Sequence, residues 1–370
     1  MPRPVNAIDF WRGFALVSIF INHIPGIYFS NFTHARYSLS DSADLFVFLA
    51  GWSVRLLVGS GDRLMPTKHV VFRLGGRALQ IYAAQVLIAM LAIAMLAAAA
   101  MVLANPLLLE WHNAASVFYD PVPTHVGLVL ITHQLGYFDI LPLYVVLMLL
   151  APVIAVIHRA APPWVLILSA AVYCITLAVP IRMPTWPVDG QWFFNPLAWQ
   201  FIFVLGFVLA KDEGLGGFVR RHLVPIRVVG LVILVALFLI QWNGWWHDPT
   251  KVPQPRLFFL LDKTYMTPLR LIQFLSLVAV FSIAFPYIDK AVPRLVAFFC
   301  LLGRNSLEVF CVGSLLSLAA QITRFVYRGY FGVDLLVVIL GVAIMTLTAW
   351  LSEWRDRVRR PASGASPPSS

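Results

Sequence analysis

Charged residues are scarce in this chain: Asp, Glu, Lys and Arg make up 12% of its 370 residues. Soluble domains carry roughly 25% charged residues and about 45–50% apolar ones, whereas 60% of this chain is hydrophobic and its mean hydropathy is +0.82. These proportions exclude a soluble globular enzyme, a disordered protein and a secreted disulfide scaffold. They leave a polytopic integral membrane protein.

Cysteine is also rare. Cys174, Cys300 and Cys311 lie in apolar stretches and lack metal-ligand spacing, so we predict neither a disulfide framework nor a metal site. The formal charge is +10, but no basic stripe is interleaved with stacking aromatic residues. We therefore expect a lipid bilayer and no nucleic acid among the partners, because Lys and Arg collect in the cytoplasmic loops of membrane proteins.

Ten segments have the character of membrane-spanning helices, which need about 20 mostly apolar residues. They cover approximately 10–29, 43–60, 78–104, 138–157, 163–180, 192–210, 224–241, 268–287, 305–323 and 332–352. The apolar piece at 125–134 is too short to span and is predicted to be re-entrant or interfacial. The predicted fold is all-α, with a single transmembrane domain over residues 1–355 and a disordered cytoplasmic tail over 356–370.

Lys and Arg are distributed unevenly between the alternate connections of this topology. One set of connections holds 17 of them and the other holds 7. The positive-inside rule assigns the richer set, and with it both termini, to the cytoplasm. No A-x-A-like cleavage site follows the apolar stretch at 13–21, so we expect a retained first span rather than a signal peptide.

The first predicted span contains the strongest polar constellation: Asp9, Arg12, Asn22 and His23. Ionisable groups at membrane depth are costly and are candidates for function. Arg12 and His23 are eleven residues apart, which is about three helical turns, so they project from one face about 16 Å apart. Arg12, near the inner end, suits a phosphate group. His23, in the outer half, suits removal of a proton from a hydroxyl.

The same residues allow a purely structural interpretation. Arg12 would extend to the lipid headgroups, and His23 would hydrogen-bond a neighbouring helix. Asp9 is predicted to pair with Arg12 on the same face, and it is a further candidate for substrate binding.

Other polar residues lie at the boundaries of the later spans. Ser40 or Asp41 is predicted to cap the second helix. On the outer side we expect groups that surround His23 or bind the acceptor, and on the inner side groups that help Arg12 to bind an anion. The outer candidates are His34, Arg36, Asp44, His133, Gln134, Asp139, Lys263 and Arg270, and the inner ones are Arg77 and Arg304. Capping, interfacial charge and helix packing are the alternative interpretations.

Four segments resemble the OpgC-type membrane acyltransferases. They are 7–26 (AIDFWRGFAL, ending in INHIPG), 40–51 (SDSAD, then FVFLAG), 137–144 (YFDILPLY) and 303–310 (GRNSLEVF). The first segment is also similar to the broader acyltransferase-3 group, in which an Arg is followed eleven residues later by a His. The resemblance runs through nearly the whole chain.

The resemblance implies a multi-pass enzyme of the bacterial inner membrane. It would transfer a succinyl or acetyl group from cytoplasmic acyl-CoA to a hydroxyl of a periplasmic or other extracytoplasmic glycan, without a metal. His23 would be catalytic, and Arg12, helped by Arg304 and Arg77, would hold the CoA end.

A second catalytic pair follows from a similarity to the lysosomal heparan glucosaminide acetyltransferases. His34 stands ten residues before Asp44, much as the candidate histidine of those enzymes stands before an Asp, and Asn22 has a counterpart there. We rank His23 first because Arg12 is in register with it. His34 and Asn22 form the second candidate pair.

Several alternatives stay open. Direct attack on the thioester and a transient acyl-His intermediate are both compatible with the residues. A transporter or flippase that moves a glycan or lipid without acyl transfer also places polar groups at membrane depth, although the chain shows no internal repeat. The acyl chain, the acceptor and the oligomeric state are not predicted.

Overall fold

The computed structural model describes residues 4–59, 65–246 and 248–359. Within these ranges the regular elements are helical, and no strand occurs beyond an isolated bridge between Pro184 and Gln191. In a bilayer the backbone must satisfy its own hydrogen bonds, and a helix does so within one segment. The predicted all-α class is confirmed.

The α-helices of the described ranges are numbered in chain order. They are α1 (Ala7–Asn22), α2 (Ser42–Val58), α3 (Thr67–Val102), α4 (Ala115–Tyr119), α5 (Pro121–Val129), α6 (Ile140–Ala160), α7 (Pro162–Ala178), α8 (Pro196–Leu209), α9 (Gly214–Arg221), α10 (Leu223–Asn243), α11 (Pro268–Phe281), α12 (Ala284–Ala291), α13 (Pro293–Arg304), α14 (Ser306–Tyr327) and α15 (Phe331–Arg359). Short 3-10 helices cover Tyr28–Phe32, His34–Arg36, Pro106–Asn113 and Arg256–Phe258.

Five of these helices are long and apolar enough to cross a membrane: α3, α6, α10, α14 and α15. A sixth span is possible if α11 and α12, which are bent by 49°, act together. The remaining predicted spans correspond to shorter helices, such as α1 with 16 residues and α2 with 17. A multi-pass membrane protein is therefore supported, whereas ten spans and the cytoplasmic location of the termini stay predictions.

Two predicted boundaries differ from the observed ones. The span predicted over 268–287 breaks after Phe281, where the Ser282 hydroxyl donates to the Ala279 carbonyl and competes with the helical bonds. The tail predicted to be disordered from 356 is helical as far as Arg359. Residues 360–370 lie outside the described ranges, as do Arg3 and Arg63 of the predicted cytoplasmic set.

The chain divides into two compact units. The terminal unit contains described residues 4–28 and 288–359, and the central unit contains 29–59, 65–246 and 248–287.

Glycines allow α1 and α13 of the terminal unit to pack backbone against backbone. A Cβ added at Gly13 would lie 1.9 Å from the Phe299 carbonyl oxygen, and one added at Gly303 would lie 1.8 Å from the Asp9 carbonyl oxygen. The two contacts are reciprocal and lie about one turn apart along α1, at Asp9 and Gly13. Small residues at helix crossings are typical of membrane proteins, and here they hold the helix that carries Arg12.

The central unit repeats this arrangement between α2 and α8. An added Cβ would lie 1.8 Å from the Phe203 carbonyl oxygen at Gly51 and 2.0 Å from the Phe48 carbonyl oxygen at Gly206. The helix that follows Asp41, α2, therefore packs against α8 as closely as α1 packs against α13.

Candidate functional site

In the terminal unit, α1 holds Arg12 and His23 at a fixed separation. The helix is continuous from Ala7 to Asn22, and His23 is its C-terminal cap residue, with its amide 2.9 Å from the Ile19 carbonyl oxygen. The axial distance predicted from the sequence, about 16 Å, follows from this continuity. Both side chains are half-buried.

Asp9 has a capping role. Its carboxylate accepts a hydrogen bond from the Asn6 side-chain amide at 2.6 Å, and its backbone N–H donates to the Asn6 side-chain oxygen at 2.9 Å. A carboxylate in the first turn also interacts favourably with the helix dipole. The described contacts therefore place Asp9 at the beginning of α1, and its pairing with Arg12 stays a prediction.

The segment after α1 is clamped by side chains of α14 and α15. Gln321 donates to the His23 carbonyl oxygen at 2.6 Å, and Arg324 donates to the Pro25 and Gly26 carbonyl oxygens. Asp334 forms an ion pair with Arg324 at 2.8 Å and accepts from the Tyr28 amide at 2.8 Å. These contacts fix the backbone at His23 and in the segment that follows it.

The sequence analysis did not identify Gln321, Arg324 or Asp334 as functional residues. Asp334 carries a signal that could have indicated its role: it is an isolated acid in the first turn of an apolar helix and is 3% exposed on its side chain. Such a group needs a partner, and two cations, Arg324 and Arg328, precede it within ten residues of the sequence.

At the other end of the terminal unit, the Arg304 guanidinium is already paired. Its Nε lies 2.9 Å from the Glu353 carboxylate, and its side chain is 12% exposed. Arg304 ends α13 instead of opening the next helix. Arg77 belongs to the central unit, where it donates to Gln80 at 2.7 Å. These contacts pair Arg304 and Arg77 with groups of their own units, and binding of CoA by Arg12, Arg304 and Arg77 stays a prediction.

The central unit builds a second site at the beginning of α2. Asp41 caps the helix and accepts from the Ala43 amide at 2.9 Å, and the Asp44 carboxylate accepts from the Asp41 amide. The predicted cap is confirmed for Asp41. Asp44 is fully buried, and its carboxylate lies 2.9 Å from the Arg270 guanidinium.

Two residues of α11 lock the loop before α2. Arg270 donates to the Leu39 carbonyl oxygen, while the Gln273 side-chain oxygen accepts from the Leu39 amide at 2.6 Å and the Ser40 amide at 3.1 Å. The loop that leads from His34 to Asp41 is therefore held by its main chain.

Lys263 extends this cluster. Its ammonium group forms an ion pair with Asp41 and lies 5.3 Å from the Phe193 ring and 5.2 Å from the Phe194 ring. Burial alone would raise the pKa of Asp41, but Lys263 and Arg270 outweigh it and hold that pKa below its ordinary value. Asp41 is therefore ionised at neutral pH.

Asp139 adds a third carboxylate, near Lys263. It lies one residue before α6 begins and forms no ion pair with the described residues, although Lys263 and Asp41 are close enough to influence it. Burial raises the pKa of Asp139 to about 6, and Lys263 opposes the shift. The cluster of Asp41, Asp44, Asp139, Lys263 and Arg270, the acidic cluster, thus has more carboxylates than cations.

His34 is positioned against this cluster. Its imidazole hydrogen-bonds the Asp41 backbone. Burial lowers the pKa of His34, with Arg270 acting in the same direction and Asp41 against it. The ring is therefore neutral at pH 7, and the bond to the Asp41 backbone orients it. A neutral, oriented imidazole is suited to accept a proton.

The other outer candidates are held elsewhere. His133 lies 3.3 Å from the Ser116 hydroxyl and 3.1 Å from the Asn113 carbonyl oxygen, and Gln134 donates to the Ile131 carbonyl oxygen. They stabilise the connection between α3 and α6. Arg36 is exposed on a 3-10 turn. The structure thus gathers five predicted residues around Asp41, namely His34, Asp44, Asp139, Lys263 and Arg270.

Comparison with known proteins was made at three levels. The model of the family described as OpgC protein matches residues 4–357. Neither curated proteins nor solved structures gave a match. The family match extends over both units and includes every candidate residue described above. The chain therefore belongs to the OpgC protein family.

Proposed function

We propose that this protein is an acyltransferase that moves a succinyl or acetyl group from cytoplasmic acyl-CoA to a hydroxyl of an extracytoplasmic glycan. Membership of the OpgC family and the multi-pass helical fold support a glucan-modifying acyltransferase of the membrane. The observation that carries the chemistry is a neutral imidazole, His34, oriented by the backbone of a residue in a buried ionic cluster.

The reaction needs one proton acceptor. The acceptor hydroxyl attacks the thioester carbonyl carbon while an imidazole nitrogen takes the hydroxyl proton. The C–S bond then breaks, and the departing CoA thiolate takes the proton from the imidazolium. His34 replaces His23 as our first assignment for this base, because burial lowers the pKa of the His34 ring and favours its neutral form.

His23 is the second assignment for the base. It shares α1 with Arg12, whose planar guanidinium suits the phosphates of CoA. Asn22, the last residue of α1, would supply an amide N–H to the developing oxyanion, which needs donors fixed in advance.

The charges of the acidic cluster favour a neutral acceptor over an anionic one. Lys263 and Arg270 are both paired with carboxylates. An additional anion would therefore meet no unbalanced cation in the cluster, whereas Asp139 can accept a hydrogen bond from a sugar hydroxyl.

The test uses the full-length protein in lipid nanodiscs with labelled succinyl-CoA or acetyl-CoA and a glucan. We expect label on the glucan. A transporter or flippase would leave the glucan unlabelled, and that result would overturn the proposed function.

The base is assigned with His34→Ala, His23→Ala and a matched control, His125→Ala. His125 is exposed, and its ring lies 2.6 Å from the Pro121 carbonyl oxygen. Loss of turnover in the His34 variant alone would support the first assignment. Loss in the His23 variant alone would support the second, and an unchanged rate in both would exclude each histidine as the base.

A further inference from the structure

An ordered loop lies between α7 and α8, over residues 183–193, and we call it the aromatic loop. Pro184 and Gln191 form a bridge, and the Trp192 amide donates to the Met183 carbonyl oxygen at 2.9 Å. The Thr185 hydroxyl also donates to the Val188 carbonyl oxygen at 2.7 Å. These bonds close the loop on itself, so its surface is shaped before any ligand arrives.

Two neighbouring segments fix the aromatic loop in place. Thr132 exchanges hydrogen bonds with the backbone of Trp186, donating through its hydroxyl at 3.1 Å and accepting at 3.3 Å. On the other side, the Tyr265 hydroxyl donates to the Gln191 side-chain oxygen at 3.3 Å and accepts from Arg182. Tyr265 belongs to the same turn as Lys263 of the acidic cluster.

The loop presents aromatic rings next to polar groups. Trp186 and Phe193 are each 45% exposed, and Arg182, Asp189 and Gln191 are exposed beside them. Charged side chains are costly in hydrocarbon, so this mixture suits an aqueous surface. A pyranose ring offers an apolar C–H face and hydroxyl edges, which match aromatic rings flanked by hydrogen-bonding groups.

The loop is continuous with the acidic cluster. The Phe193 ring lies 5.3 Å from the Lys263 ammonium group, which is itself paired with Asp41. Phe193 is the last residue of the aromatic loop, and its ring lies next to Lys263. It therefore connects the exposed loop to the acidic cluster.

We propose that the aromatic loop is a binding subsite for the sugar units that flank the acylated unit of the acceptor, with Phe193 and Trp186 as stacking surfaces. This proposal rests on the proposed function, because it requires the acceptor to be a carbohydrate chain. It goes further by giving the enzyme a preference for long acceptors over short ones.

The first experiment compares transfer to linear glucose oligosaccharides of two and of eight units. Trp186→Ala and Phe193→Ala should each raise KM for the eight-unit acceptor by about tenfold, which corresponds to about 1.4 kcal/mol. Trp186→Ala, which lies outside the acidic cluster, should leave kcat, and the KM for the two-unit acceptor, unchanged. Trp164→Ala is the matched control, since Trp164 is an exposed tryptophan at the beginning of α7. Equal effects on both acceptors would overturn the proposal.

A second measurement does not depend on turnover. The difference in tryptophan fluorescence between the wild type and Trp186→Phe should change when the eight-unit oligosaccharide is added. If brominated lipids quench that difference signal and the oligosaccharide does not, Trp186 is a membrane anchor and the subsite is excluded. Oligosaccharide binding without any acyl transfer would retain the subsite and reject the proposed function.

Discussion

The terminal and central units each bury an arginine–aspartate pair, but the two pairs have different structural roles. Arg324 and Asp334 direct their remaining hydrogen bonds to the main chain that follows α1. Arg270 and Asp44 instead belong to the acidic cluster, in which Asp139 has no ion-pair partner among the described residues.

The terminal pair stabilises a backbone segment, whereas the central pair belongs to a candidate binding site. In the terminal unit the charges and hydrogen-bonding groups of the pair are used in fixing a segment. In the central unit the Asp139 carboxylate is left to interact with a ligand, and the His34 imidazole lies beside Asp41 of the same cluster. A buried charge in a membrane protein therefore indicates chemistry most strongly where the group is unbalanced by its neighbours.

The largest effect on stability is expected from Asp44→Ala. The substitution leaves the buried Arg270 guanidinium without its nearest carboxylate, and breaking such a pair costs about 3–5 kcal/mol. The double variant Asp44→Ala/Arg270→Met should recover part of this loss because it removes the uncompensated charge. Chemical denaturation in detergent measures the free energy of unfolding.

Asp248→Ala is the control for this substitution. Asp248 pairs with Lys251 at 3.6 Å on the surface, so its removal should leave the free energy of unfolding unchanged. If Asp44→Ala is as mild as this control, the acidic cluster is not a buried ionic network.

The glycine crossings should respond next. Gly51→Ala and Gly13→Ala each place a methyl group within 2 Å of a carbonyl oxygen on the facing helix, and overpacking of this kind costs about 1–3 kcal/mol. Gly75→Ala is the matched control on α3, where an added Cβ meets nothing within 4 Å. It should stabilise the helix by up to about 1 kcal/mol.

Thermal unfolding of these three variants tests whether close backbone packing at glycine stabilises both helix crossings. If Gly13→Ala destabilises the protein and Gly51→Ala does not, the crossing of α2 and α8 is looser than described, and the site at the beginning of α2 is less rigid than α1.

Local patterns predicted much of this architecture. Apolar runs indicated most of the helices, Asp41 was one of two predicted caps of α2, and Asp44 was predicted as an outer candidate at the beginning of that helix. The partners themselves were not predictable. Arg270 lies 226 residues from Asp44, and Arg324 lies 299 residues from Pro25. Such pairings depend on which helix faces pack together, and no local pattern encodes that.

The same limit applies to Arg304 among the inner candidates and to His133 among the outer ones. Arg304 resembled an anion-binding residue at the beginning of a span, because Glu353 is far away in sequence and its position on α15 was unknown. His133 resembled a ligand-binding group at a span boundary, and its contacts with Ser116 and Asn113, on the connection between α3 and α6, could not be read from the sequence.

Substitution of one glutamine in each unit compares the contributions of the two units to the rate of acyl transfer. Gln273 accepts from the loop that follows His34, and Gln321 donates to the His23 carbonyl oxygen. If His34 is the base, Gln273→Ala should lower kcat by about tenfold to a hundredfold through misplacement of the ring, with KM for acyl-CoA unchanged. Gln321→Ala should change kcat less than Gln273→Ala does.

The isosteric glutamates sharpen this test. Gln273→Glu keeps the accepting oxygen and should restore part of kcat, whereas Gln321→Glu removes the donor and should behave like Gln321→Ala. The opposite ranking of the two alanine variants would transfer the role of base to His23.

The smallest expected effect is a displacement of the pH profile. The base must be neutral, so kcat falls when decreasing pH protonates it. Burial lowers the pKa of His34 from 6.5, and the fall should therefore occur below pH 6.5. Measurement of kcat from about pH 5 to about pH 8 locates this limb. Asp139, with its pKa raised to about 6, titrates in the same range, so Asp139→Asn is needed to separate the two groups. A limb that persists in Asp139→Asn belongs to an imidazole, while one that disappears identifies Asp139 as the titrating group and removes this support for His34.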